Sequence, residues 1–288
     1  MFRRRGRMNN SLIAISLRRV LLRSLAVSLL VASIVVALAA GAGAQPGTKP
    51  KVPNIVLVHG AWADGSSWGA VIQRLQKAGY RVSAVQLALA SMEDDVARTR
   101  SVLAAQDGPT LLVAHSLGGA VITSLGTDAP NVVGLVYESA FAPDQGESLK
   151  GLTAGPQPPG AAAIRPDKQG FLWLDRAGFR QYFAPDVEAE HERVMEAVQK
   201  PVAASELNSD KKFTAPAWRS FPTWFIVSEK DQMIPPDAQK LFAKRMNATV
   251  LSVPGSHVLM VSHPDEVAGF IIKAAQSGRT KMALNLPK

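Results

Sequence analysis

Val113-Ala114-His115-Ser116-Leu117-Gly118-Gly119 is the stretch whose reading decides the fold. The apolar run Thr110-Leu111-Leu112-Val113 leads into it, and a helix is predicted to leave it from about Leu117. A serine that closes a strand and opens a helix stands on a tight turn, with its oxygen exposed above a sheet. Small residues two before it (Ala114) and two after it (Gly118) leave room for neighbouring chain. Glycine is usual at the first of these positions, and alanine still meets the steric demand. The helix start adds free N–H groups and positive potential beside the serine oxygen.

Outward from this stretch, short apolar runs alternate with helical segments. Ile55–Val58, Tyr80 to Leu87, Thr110 to Val113, Val132 to Tyr137, Thr223 to Val227 and Thr249–Val253 read as strands. Helices are predicted over 67–78, 92–106, from about 117, near 237–246 and over 264–276, with Val96, Val102 and Leu103 on one face of the second. Continuous apolar strands separated by helices indicate an α/β fold: a mostly parallel sheet of about six strands, covered on both faces. Residues 142–221 break the rhythm. They hold a Gly/Pro-rich loop over 151–160 and one good helix over 186–200 that starts at Pro185 and Asp186, and no clear strand. They are expected to form a mainly helical cap inserted between two strands. The core is then 54–141 and 222–288, preceded by a flexible lead-in over 45–53.

The chain has 288 residues, 47% hydrophobic and 19% charged, which excludes a disordered chain. One apolar stretch alone is long enough to suggest a membrane span, so a polytopic membrane protein is excluded too. The absence of cysteine excludes disulfide scaffolds, thiolate metal sites and cysteine nucleophiles. The formal charge of +9 is concentrated at one end. Residues 1–44 carry seven of the 32 basic residues, all arginine, and no acid, leaving 25 basic against 23 acidic residues for the body. That balance gives little reason to expect a basic face for nucleic acid. The arginines, the uncharged run Leu25 to Ala40 and then Ala42-Gly43-Ala44 read as an export signal cleaved before Gln45. Leu17-Arg18-Arg19-Val20-Leu21-Leu22-Arg23 also looks like a loose twin-arginine signal. A periplasmic or secreted protein without stable membrane insertion is expected.

A serine hydroxyl near neutral pH needs a histidine to take its proton, and that histidine needs an acid to orient it. His257, in Val253-Pro254-Gly255-Ser256-His257, follows a predicted strand and precedes the last helix, at the sheet edge where ligands bind in open α/β sheets. Asp231 follows the strand ending at Val227. Glu138, at the end of the strand through Tyr137, and Glu229 are rivals for the acid. The order Ser116, Asp231, His257 is the nucleophile–acid–histidine order of one hydrolase fold.

On these residues, with His59-Gly60-Ala61-Trp62 after the first strand, the chain resembles the α/β-hydrolase superfamily over nearly all of 54–276. It is most similar to the small esterase and hydroxynitrile-lyase-like branch. The resemblance implies a serine hydrolase of small carboxylic esters working through an acyl-enzyme, without a cofactor, under a cap. It also implies an oxyanion hole from the backbone N–H groups of Ala61 and Leu117. Dehalogenases and epoxide hydrolases of this fold carry aspartate where this chain has Ser116. Hydroxynitrile lyases carry lysine after the histidine, where this chain has Val258. A cofactor-free perhydrolase or haloperoxidase on the same triad, and a non-catalytic ligand-binding member, are the alternatives.

Of the five histidines, none pairs at metal-ligand spacing, so no metal site is expected. His59 is read as a support of the Ala61 loop, His115 as structural with its side chain directed away from the site, His191 as a solvated residue and His263 as part of a local turn. Asp237 is read as a cap of its helix. Trp62 is a candidate pocket residue, Trp173 and Trp218 fall in the cap, and the acids Asp186, Glu188, Glu190, Glu192 and Glu196 are read as a solvated face.

Overall fold

Asn54–Val58 (β1) is buried at every residue, as a strand must be when helices cover both sides of its sheet. The computed structural model describes residues 53–284 apart from 128 and 130, so the segment read as an export signal lies outside the described residues. Five further parallel strands join β1: Val82–Ala84 (β2), Thr110–His115 (β3), Val132–Glu138 (β4), Thr223–Ser228 (β8) and Thr249–Val253 (β9). Their order across the sheet is β2-β1-β3-β4-β8-β9. The chain runs from β1 outward to β2 and returns to the other side of β1 as β3. The carboxyl ends of β1 and β3 therefore flank the switch point where such sheets open a crevice. In register, Val58 lies opposite Ala114, and His115 lies opposite Glu138.

The helices of seven or more residues are Gly69–Lys77 (α1), Met92–Ala104 (α2), Leu117–Thr123 (α3), Ala189–Ala197 (α4), Pro236–Arg245 (α5) and Pro264–Leu284 (α6). Helix α6 packs on β3, β4 and α1, where Arg74 pairs with Asp265 at 2.5 Å. Helix α2 packs on β1 and α3. Its fully buried line is Asp95, Thr99 and Leu103, while Val96 and Val102 are half-buried. Asp95 tolerates burial because it accepts the N–H groups of Ala88 at 2.7 Å and Leu89 at 3.0 Å.

Strand β2 is shorter than its apolar run. Past Ala84, Val85 N–H still donates to Leu57, but Leu87 N–H turns to the His59 ring, so the chain leaves the sheet to brace the loop above β1. Residues 142–221 do lie between β4 and β8, but they contain strands the sequence did not reveal. Ile164–Pro166 (β5), Phe171–Leu174 (β6) and Val202–Ala203 (β7) form a three-stranded antiparallel sheet. Strands of two to four residues are too short to show a periodicity. The helix expected over 186–200 is limited to α4, because Glu188 caps it by accepting the N–H groups of Glu190 and His191. In α5, Asp237 sits in the first turn but makes no cap; Pro236 at the first position supplies the preset backbone.

Candidate active site

Ser116 takes φ +53° and ψ −122° at the junction of β3 and α3. Such backbone strain costs about 1–3 kcal/mol for a residue with a side chain. It is held by three bonds: Ser116 N–H to Glu138 O at 3.2 Å, and Ser116 O receiving Gly119 N–H at 3.0 Å and Phe141 N–H at 3.1 Å. The glycines around it answer a close approach. A Cβ on Gly60 would lie 2.6 Å from Ser116 Cβ, and one on Gly118 would lie 2.6 Å from His59 O. The loop above β1 and the turn above β3 thus touch backbone to backbone.

His257, on the loop after β9, brings its Nε2 to 2.9 Å from Ser116 Oγ and its Nδ1 to 2.7 Å from Asp231 Oδ2. Nδ1–H donates to the carboxylate, which leaves the Nε2 lone pair to accept the serine hydroxyl. All three side chains are buried. Asp231 is fixed by three more donors: Met233 N–H at 2.7 Å and Ile234 N–H at 3.0 Å to Oδ1, and Gln239 Nε2 at 2.7 Å to Oδ2. Gln239 was not apparent from the sequence; it stands on α5 and ties it to β8 through Ser228 N–H at 3.0 Å. Glu138 is also buried but accepts from Ser139 Oγ at 3.2 Å and leaves His257 to Asp231. Burial pushes its carboxyl well above the usual range, and the Asp231 charge adds to the effect. Glu229 is exposed.

The other histidines divide by environment. His59 donates from Nδ1 to Gly60 O at 2.8 Å and accepts Leu87 N–H on Nε2 at 3.0 Å. Burial pushes it down to about 4, so it stays neutral in that brace. His115 is not directed away from the site. Its ring lies 4.6 Å from that of His257, and its Nε2 donates to the His257 carbonyl at 2.9 Å. Burial holds it well below the usual value. His263 packs on Gly255 and bonds Ser262 Oγ at 2.9 Å. His191 is exposed.

The N–H groups of Ala61 and Leu117 have no acceptor among the described residues. Next to Ala61, Trp62 takes φ +59° and is anchored to the insertion at both ends: its N–H donates to Lys200 O and its Nε1–H to Leu172 O, each at 3.0 Å. A cavity of about 510 Å³ opens over Ser116, Ala61, Leu117 and Trp62. The insertion and the segment after β8 supply its other walls, among them Leu152, Pro158, Ile164, Leu172 and Ile234. Its lining includes no charged side chain. Trp173 instead bonds Asp167 on the surface, and Trp218 is packed with its Nε1–H on Pro143 O. The acidic series is not one solvated face. Glu192 is buried, Glu196 pairs with Arg176 at 3.3 Å, and Asp186 bonds Ser256. Among the described residues, no group of three or more His, Asp and Glu could hold a metal ion.

Such a line of side chains can move a proton from a hydroxyl to an imidazole beside free backbone donors. A sequence model of the Alpha/beta hydrolase family matches residues 55–270. A pyrethroid hydrolase of Sphingobium wenxiniae is 28% identical over 251 residues, covering 78% of this chain and 89% of that protein. Methylesterase 1 of Arabidopsis thaliana is 23% identical over 252 residues, covering 77% and 95%. Among solved structures, a pyrethroid hydrolase from Sphingobium faniae superposes with a TM-score of 0.68 at 26% identity, over 78% of this chain and 98% of that one.

Proposed function

The chain belongs to the alpha/beta hydrolase family as an esterase-type member, and we propose that it is an exported serine esterase of uncharged, largely apolar esters. The observation that carries this reading is the unbroken hydrogen-bonded line Ser116–His257–Asp231, whose Ser116 end opens on a cavity without charged lining. Ser116 Oγ bonds to the ester carbonyl carbon while His257 Nε2 takes its proton. The carbonyl electron pair moves onto oxygen, where the N–H groups of Leu117 and Ala61 receive it. Each such donor contributes about 3 kcal/mol to the transition state. Asp231 holds the imidazole in its working tautomer and stabilises the imidazolium. The intermediate collapses, the ester C–O bond breaks, and the departing alcohol takes the proton from His257. Water then gives a proton to His257 and attacks the acyl carbon, and the acid leaves as Ser116 regains its hydrogen.

The absence of charge in the cavity supports an uncharged substrate, since an ion there would lose its hydration without a partner. Relatives named pyrethroid hydrolase and methylesterase support ester cleavage. The test is a panel of nitrophenyl esters, neutral and carboxylate-bearing, matched in size. Hydrolysis of the neutral esters that Ser116→Ala abolishes is expected. Preference for the charged esters would overturn the substrate class, and full activity of Ser116→Ala would overturn the nucleophile. Export rests on residues 1–44, and amino-terminal sequencing of the periplasmic protein should begin at Gln45; an intact chain held in the membrane would contradict it.

A further inference from the structure

We propose that Asp186 is a positioning residue for the general base, acting from the insertion through Ser256 on His257; this rests on His257 being that base.

Asp186 lies just ahead of α4, and His257 is 71 residues away on the loop after β9. The Asp186 carboxylate accepts the Ser256 N–H on Oδ2 at 2.8 Å and the Ser256 hydroxyl on Oδ1. Ser256 is buried and immediately precedes His257. The two peptides that follow are held as well: the Ser256 carbonyl accepts Ser228 Oγ at 2.6 Å, and the His257 carbonyl accepts His115 Nε2 at 2.9 Å. Asp186 is therefore the acceptor that fixes the amide of the residue just before His257. Phe183, three residues earlier, repeats the contact at the ring itself. Its centroid is 5.3 Å from that of His257, and its carbonyl accepts the Ser256 hydroxyl at 3.4 Å.

The loop has no slack elsewhere to replace this hold. A Cβ on Gly255 would meet Leu259 and lie 2.7 Å from the His263 ring, so the backbone there is already pressed against its neighbours. The imidazole must keep two short bonds at once, 2.9 Å to Ser116 and 2.7 Å to Asp231. A tilt that preserves one lengthens the other. A carboxylate suits position 186 because one planar group accepts both donors of Ser256. The titratable neighbour is His263, whose Nδ1 is 3.9 Å from Asp186.

The test compares Asp186→Asn, which keeps one acceptor oxygen, with Asp186→Ala, which keeps none, on a neutral nitrophenyl ester. Expected is a graded fall in kcat, about tenfold for Asn and about 100-fold for Ala, with KM changed less than about twofold. The rate of labelling by a fluorophosphonate should fall in the same order, since that reaction also uses the base. Arg165→Ala is the control for general loosening. It removes the 2.6 Å Arg165–Asp175 pair elsewhere in the insertion, and should lower Tm while leaving kcat in place. If Asp186→Ala does not fold, Asp186→Asn against Arg165→Ala decides. Wild-type kcat in folded Asp186 variants, or a loss of kcat no larger than Arg165→Ala shows at equal Tm, overturns the inference. Failure of the triad reading is separate, because it would show as activity in Ser116→Ala.

Discussion

Glu206→Gln should make the protein more stable at neutral pH, and by an amount that grows with pH. Glu206 is buried in the short helix Ala204–Leu207, where its carboxyl meets that of Asp95 and takes no N–H donor from the described residues. It interacts with Asp95, also buried, whose Oδ1 takes two backbone N–H groups and whose Oδ2 takes none. Burial, and then the Asp95 charge, push Glu206 up to about 8 from an ordinary 4.5. Asp95 is raised by its own burial too. The folded protein at pH 7 therefore holds Glu206 protonated, whereas the unfolded chain releases that proton above about 4.5. Folding stability from this group is highest below 4.5 and is lost as pH rises towards 8, where both states are ionised. The loss accumulates at about 1.4 kcal/mol per pH unit, or on the order of 3 kcal/mol by pH 7. Glutamine keeps the shape and cannot ionise. Urea unfolding of both proteins from pH 5 to 9 reads the effect as a difference. His59 and His115, held neutral by burial, make both proteins lose stability as pH falls below about 6.5, and this cancels. The gap should widen from pH 5 to about 8 and then level. Parallel curves across that range would refute the reasoning.

Asp231→Asn should lower kcat by a factor on the order of 10⁴, because the wrong tautomer of His257 would be held; near-UV circular dichroism should remain native, since the amide oxygen still accepts from Met233 and Ile234. Gly60→Ala should lower kcat about 100-fold in steady-state assays, since its Cβ would sit 2.6 Å from Ser116 Cβ and displace the nucleophile. Gln239→Ala removes one of the two donors to Asp231 Oδ2 and leaves the buried Ser228 N–H without its acceptor, and should lower stability by about 1–3 kcal/mol in the same urea assay.

The sheet was legible because strands such as Ile55–Val58 and Thr110–His115 are unbroken apolar runs, buried on both faces. The run from Tyr80 to Leu87 overstated β2, since its last residues brace the His59 loop instead of pairing. On α2 the apolar Val96 and Val102 drew the eye, but Asp95 and Thr99 occupy the buried line, because their side chains bond backbone: Asp95 takes two loop amides and Thr99 donates to the Asp95 carbonyl. The positions of Ser116, Asp231 and His257 could be inferred because each closes or follows a strand at one sheet edge. What holds them was not legible. Gln239, Asp186 and Phe183 owe their roles to neighbours far along the chain, and no local pattern records that. The acidic run from 186 to 196 shows the difficulty: its members share composition, yet one is buried, one pairs with Arg176 and one grips the loop of His257.

The most direct measurement is rapid-quench trapping of the intermediate with a neutral nitrophenyl ester, followed by peptide mass spectrometry. A burst of about one equivalent of nitrophenol per protein is predicted, with the acyl mass on the peptide carrying Ser116 and none in Ser116→Ala. Acyl mass on another residue, or unchanged turnover in Ser116→Ala, would contradict the account.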